Sequence, residues 1–114
     1  MVDPRENPGT KLEQELRRGV LVLAVLSQLR EFRYGYSLRQ ALAARGMAIE
    51  EGTLYPLLRR LEGQGLLASE WRIEDGPPRR YYRLNDAGEA LLAELTAFWN
   101  AQVATMAGLL EGEA

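Results

Sequence analysis

The chain has 114 residues, 46% hydrophobic and 26% charged, a composition that suits one folded domain and argues against wholesale disorder. It contains neither cysteine nor histidine, which removes disulfides, thiolate and imidazole metal sites, cysteine nucleophiles and the commonest general base together. No apolar run approaches the ~18–20 residues needed to cross a bilayer, and the opening MVDPRENPG is unlike a secretory leader, so a cytoplasmic chain with no membrane partner is expected.

Residues 1–9 hold two prolines, a glycine and no apolar period, and read as a flexible arm. Thr10 stands three positions before Glu13, a capping-box pattern that predicts a helix from Thr10 to about Leu29. Its apolar stripe, Leu12, Leu16, Val20, Leu23 and Leu26, is widened by Leu21, Val22 and Val25, enough to face both the chain's own core and a second chain. A short second helix is predicted from near Tyr36 to Arg45, stopped by Gly46. A third follows over Gly52 to Gln64, with Leu54, Leu57, Leu58 and Leu61 on its apolar face; Pro56 is tolerable if it lies in the first turn, where amides have no partner to lose.

From Leu66 the period changes to two, placing Leu67, Ser69, Trp71 and Ile73 on one side, and the EDGPP turn then leads into RRYYRL. Two strands around a stiff loop make a hairpin in which Trp71, Tyr82 and Leu84 are expected to pack inward. Asn85 or Asp86 caps a last helix of roughly 24 residues, about 36 Å long. The expected fold is mainly α with a small antiparallel β-hairpin: a winged helix-turn-helix over residues 10–85, followed by a long C-terminal helix over 86–114.

Charge is unevenly spread. Arg30 to Arg83 carries ten basic and seven acidic residues, whereas the flanks carry four basic and nine acidic. A basic middle between acidic ends is compatible with one surface that meets nucleic acid on a molecule otherwise repelled by it.

The segment EGTLYPLLRRLEGQGLL, then SEW, a charged hairpin and GPPRRYYRLNDAG, together with the YGYSL opening of the second helix, resembles the PadR family of bacterial transcription regulators. The resemblance implies a dimeric winged-helix protein that binds double-stranded DNA, usually as a repressor, in the compact form with a single C-terminal helix. Two positions depart from the family pattern: Glu50 stands where a capping Ser is common, and Arg80 where Lys is common.

On this reading the third helix is the recognition element. Its polar side carries Thr53, Pro56, Arg59, Arg60 and Gly63, with Tyr55 near its start; arginines there can take guanine or grip phosphate. The competing account is that Arg59 and Arg60 merely pair with Glu62 and Glu51. Tyr34, Tyr36 and Ser37 cluster at the start of the second helix, where free amides suit a phosphate, unless Tyr36 packs inward and Ser37 only caps. Arg79 and Arg80 beside the Gly76-Pro77-Pro78 loop suit backbone or minor-groove contact.

In the last helix Leu92, Leu95, Trp99, Gln102, Met106 and Leu109 form a heptad-like seam too short to stand alone, so it is expected to pair with a partner chain. Phe98 and Trp99, with Val103 and Met106 beside them, sit about where some compact relatives in the resembling family hold flat aromatic effectors; a Trp that simply fills the dimer seam is the plainer alternative. No cofactor and no metal are expected. Catalysis has little support, since the single lysine, Lys11, lies near a chain end and no phosphate loop or acidic cluster appears. The rival function is a winged-helix interaction or ligand-sensing module that does not bind DNA.

Overall fold

A computed structural model describes residues 7–112. Helix α1 (Pro8–Ser27) is followed by a two-residue strand β1 (Arg33–Tyr34), helices α2 (Gly35–Ala44) and α3 (Glu51–Gly63), the hairpin β2 (Leu67–Arg72) and β3 (Arg79–Leu84), and helix α4 (Asp86–Leu110). The three strands form one antiparallel sheet in the order β1-β3-β2, with Tyr34 opposite Tyr81 and Trp71 opposite Arg80. This is the expected mainly helical winged helix-turn-helix, with β1 added to the hairpin.

The start of α1 differs from expectation. Asn7 caps it, accepting from the Gly9 amide at 2.8 Å, and Pro8 occupies the first turn, so helix replaces arm at residues 8 and 9; residues 1–6 lie outside the described residues. An Asn-Pro pair is a stronger start signal than the Thr10–Glu13 pattern, since Pro presets the helical φ. Pro56 is also displaced. Because α3 begins at Glu51, Pro56 is its sixth residue, past the first turn, and withholds the donor that the Gly52 carbonyl would otherwise receive. Gly52 and Pro56 are both exposed, so water can serve that carbonyl. Glu50 is the N-cap and makes no side-chain cap bond, as its departure from Ser implied.

The core forms where the apolar faces of the helices meet the base of the hairpin: Val25, Leu26 and Leu29, Leu38 and Leu42, Leu54, Leu58 and Leu61, then Leu67, Tyr82 and Leu84. Leu92 joins this core, only 4% exposed, and Leu95 packs against it. The expected seam therefore loses Leu92 to the chain's own interior. Beyond that point α4 leaves the core, and Phe98, Trp99, Val103, Met106 and Leu109 are exposed, as are Leu12 and Leu16 on α1.

Trp71 does not pack inward. It is 64% exposed, and Ile73 beyond it is more so, whereas Tyr82 and Leu84 are buried as expected. The alternation is real, but the outer half of the hairpin projects past the last core residues, and Trp71 there lies at the side of an open groove with the Arg80 guanidinium 5.8 Å from the centre of its ring.

Candidate nucleic-acid interface

The polar side of α3 divides into two edges. Thr53, Pro56 and Arg60 line a shallow groove against α1, which contributes Arg18, Leu21 and Val22. Tyr55 and Arg59 face the other way, into a groove of about 430 Å³ shared with Tyr34 and Gly35 at the start of α2 and with Trp71, Pro78, Arg79, Arg80 and Tyr82 of the hairpin. The exposed Arg59 and Arg60 thus flank one helix, each with further arginine across its groove.

The carboxylates that could neutralise these arginines are engaged elsewhere. Glu51 pairs with Arg39 at 2.9 Å, and Arg39 Nε also donates to the Ile49 carbonyl, which ties the approach to α3 back onto α2. Glu62 pairs with Arg80 at 2.8 Å. Among the described residues neither Arg59 nor Arg60 forms an ion pair, so the solvated-pair account fails at both of its partners.

Arg80 is not delivered to the hairpin tip as expected. Its Nη2 donates to both Glu62 carboxylate oxygens, at 2.8 and 2.9 Å, and to Ser69 Oγ at 3.0 Å, while the Ser69 hydroxyl donates in turn to Glu62. The Ser69 hydrogen bond holds the Glu62 carboxyl below the usual carboxylate range; burial opposes it and Arg80 reinforces it. Burial pushes the neighbouring Tyr82 hydroxyl up. Arg79 stays exposed, with its guanidinium 4.7 Å from the centre of the Tyr34 ring.

Of the tyrosine cluster, Tyr34 packs and Tyr36 does not. Tyr34 lies 5.2 Å from the Tyr81 ring and 6.4 Å from the Tyr36 ring, and Tyr36 is exposed at the start of α2. Ser37 donates its hydroxyl to the Tyr34 carbonyl at 2.9 Å, which occupies the donor expected to face a phosphate. Tyr55 rests so closely on Gly35 that a side chain at 35 would overlap its ring. Tyr34, Tyr55, Arg59 and Arg79 come together in one groove; Tyr36 and Ser37 do not line it.

Three arginines here have no sequence signal. Arg18 reaches α3 only because α1 crosses beside it. Arg72 lies over Phe32 and Tyr81, at 5.0 and 4.3 Å, and Arg83 over Phe32 at 5.7 Å, on the sheet face that also carries Tyr34.

Between α1 and α4, Leu16, Val20, Leu23, Leu95, Phe98 and Trp99 wall an apolar groove of about 460 Å³, with Gln102 at its edge. Val103 stands outside this lining. Among the described residues no cluster of acidic side chains is arranged to hold a metal ion, and no helix is long and apolar enough to cross a membrane.

The sequence profile of the transcriptional regulator PadR-like family matches residues 22–94. A transcriptional regulator of Mycobacterium tuberculosis is 43% identical over 82 residues, covering 71% of this chain and 77% of that protein. The crystal structure of a PadR family transcriptional regulator from Eggerthella lenta is similar at a TM-score of 0.84 and 52% identity, covering 91% of this chain and 93% of the other. A PadR-like transcriptional regulator from Bacillus cereus superposes at a TM-score of 0.76 and 33% identity, covering 87% and 99%.

Proposed function

Because the chain belongs to the PadR-like family, and is therefore a DNA-binding transcriptional regulator and not an enzyme, we propose that it acts in the cytoplasm as a homodimeric repressor on a pseudo-palindromic operator. The observation that carries this reading is the pair Arg59 and Arg60, which have no carboxylate partner among the described residues on the exposed side of α3, while Glu51 and Glu62 are held by other arginines. The N-terminal part of α3, with Thr53 and Pro56 exposed, enters the major groove, Arg59 and Arg60 meet base edges or phosphates, and Arg79 meets the backbone beside the hairpin.

Dimerisation accounts for the uncovered apolar residues of α4 and of the first half of α1. A partner's α4 laid across Trp99, Met106 and Leu109 would remove them from water and set two recognition helices about one duplex turn, ~34 Å, apart. The apolar groove beside Trp99 offers a planar hydrophobic effector a place between the protomers, where it would change the tilt of the two reading heads.

The test is a titration of duplex DNA with the full chain at rising salt. Neutralisation of several phosphates by arginine predicts a log–log slope steeper than about −3. A flat response would favour the interaction module that does not bind DNA.

A further inference from the structure

We propose that Glu62, Ser69 and Arg80 form a clamp that fixes the wing against the recognition helix and so sets DNA selectivity, with Glu62 as a positioning residue that touches no DNA. The inference rests on the DNA-binding reading above and assigns Arg80 a different role from its neighbour Arg79.

The clamp stands where the hairpin runs out of core. Below it, Leu67, Tyr82 and Leu84 are buried; above it, Trp71 and Ile73 are exposed. The outer face of the hairpin has its own anchors, since Arg72 lies over Tyr81 and Arg79 over Tyr34. On the face toward α3, the bonds of Glu62 to Ser69 and Arg80 are the only side-chain hydrogen bonds joining that helix to the hairpin among the described residues. They close a three-membered ring of partners, because Arg80 also donates to Ser69 at 3.0 Å. A closed ring of charge-assisted bonds holds geometry better than a single exposed ion pair.

Its location gives that geometry a purpose. Glu62 lies three residues beyond Arg59 on α3, and Arg80 is the immediate neighbour of Arg79 on β3, so the clamp fixes the span between two arginines that pair with no carboxylate among the described residues. Both line the groove between helix and wing. A loose wing would still attract phosphate, but it would no longer present Arg79 at one distance from Arg59.

This makes a prediction opposite to simple electrostatics. Removing an acidic group from a DNA-facing surface should tighten binding to every duplex. With a clamp, Glu62→Gln instead loses discrimination. The experiment compares wild type, E62Q, R80Q and the double variant on two probes: the duplex that wild type enriches most from a random pool, and a scrambled duplex of equal length and composition. Amide exchange across residues 70–80 is followed in the same proteins without DNA, and thermal unfolding confirms that each is folded. Ser69→Ala, a smaller change, provides an independent route to the same loosening.

The expected result is a fall of about three- to fivefold in the affinity ratio between the two duplexes, alike in E62Q, R80Q and the double variant, together with faster exchange in the wing. If E62Q tightens both duplexes equally and R80Q weakens both equally, Arg80 is a DNA contact restrained by Glu62 and the clamp is refuted. Unchanged wing exchange in E62Q and S69A refutes it as well. A wild-type chain that enriches no duplex at all overturns the DNA-binding reading, and with it any role of the clamp in selectivity; the two failures are told apart by wild type alone.

Discussion

Gly88, in the first turn of α4, is pressed against the carbonyl oxygen of Leu66, which leads into the hairpin; a side chain at 88 would overlap that backbone oxygen. Asn85 ties the same junction. Its Oδ1 accepts from the Gly88 amide at 2.9 Å, its Nδ2 donates to the Gly65 carbonyl at 2.8 Å, and its own amide donates to Leu66 at 3.1 Å. The direction in which the long helix leaves the winged domain is thus set by the close backbone approach at Gly88 together with the Asn85 side chain.

Gly88→Ala should therefore cost more than an ordinary surface change. The obstacle is main chain and cannot swing aside, so a loss of about 2–4 kcal/mol is expected in urea unfolding. Gly35→Ala overlaps only the far end of the Tyr55 side chain, which can move out of its groove. It should cost less than Gly88→Ala while still weakening DNA binding. Equal stability losses in the two variants would contradict this account of the junction.

Arg59→Ala is expected to weaken the enriched duplex by about 1–3 kcal/mol and to relax preference at one base pair, as for a side chain that reads a base edge. Competition binding against single-base variants of that duplex checks it. A uniform loss across all of them, with a shallower salt slope, would assign Arg59 to phosphate.

Glu62 supplies a pH dependence with a definite sign. Its folded-state carboxyl is held below the ordinary value of 4.5, chiefly by the Ser69 hydroxyl. The unfolded chain therefore takes up the proton first, so the contribution to stability is complete above the ordinary value and fades as pH falls through the lower folded one. The urea midpoint of wild type should exceed that of Glu62→Gln by a constant margin from neutral pH down to the carboxylate range, then converge with it in acid. A margin that persists in strong acid would show that the clamp is not ionic.

Met106→Glu places a charge on the face of α4 left uncovered by the chain's own core. If a partner covers that face, an unpaired buried carboxylate costs about 3–5 kcal/mol, enough to raise the dimer dissociation constant at least a hundredfold. Sedimentation equilibrium should then find monomer where wild type is dimer. Identical association in the two proteins would remove α4 from the interface.

An effector at Trp99 can be followed by fluorescence in a Trp71→Phe background, since the chain has two tryptophans. A planar hydrophobic ligand that quenches Trp99 should also lower affinity for the enriched duplex. Quenching without any change in DNA binding would uncouple that groove from regulation.

Local signals in the sequence located the helices, the stop at Gly46 and the buried face of α3, because each follows from near neighbours along the chain, whereas the poor cap at Glu50 came from comparison with the family pattern. What they could not carry is distance across the fold. Period two put Trp71 on the same side as Leu67, but where the core ends is a tertiary fact. A heptad step put Leu92 on the seam of α4, yet α4 still lies on its own core at that turn. Arg80 looked like a twin of Arg79 until β3 placed it 2.8 Å from Glu62, eighteen residues earlier. The candidate interface shows the same division: Arg59 and Arg60 were legible from the apolar face opposite them, whereas Arg18 and the stacking of Arg79 on Tyr34 were not.

The most direct test of a dimer that reads DNA through two copies of α3 is selection of bound duplexes from a random pool by the full chain, at two salt concentrations. The account predicts enrichment of an inverted repeat whose half-sites are centred about one helical turn apart, persisting at the higher salt. Retention of unselected DNA at low salt only, with no repeat emerging, would contradict it.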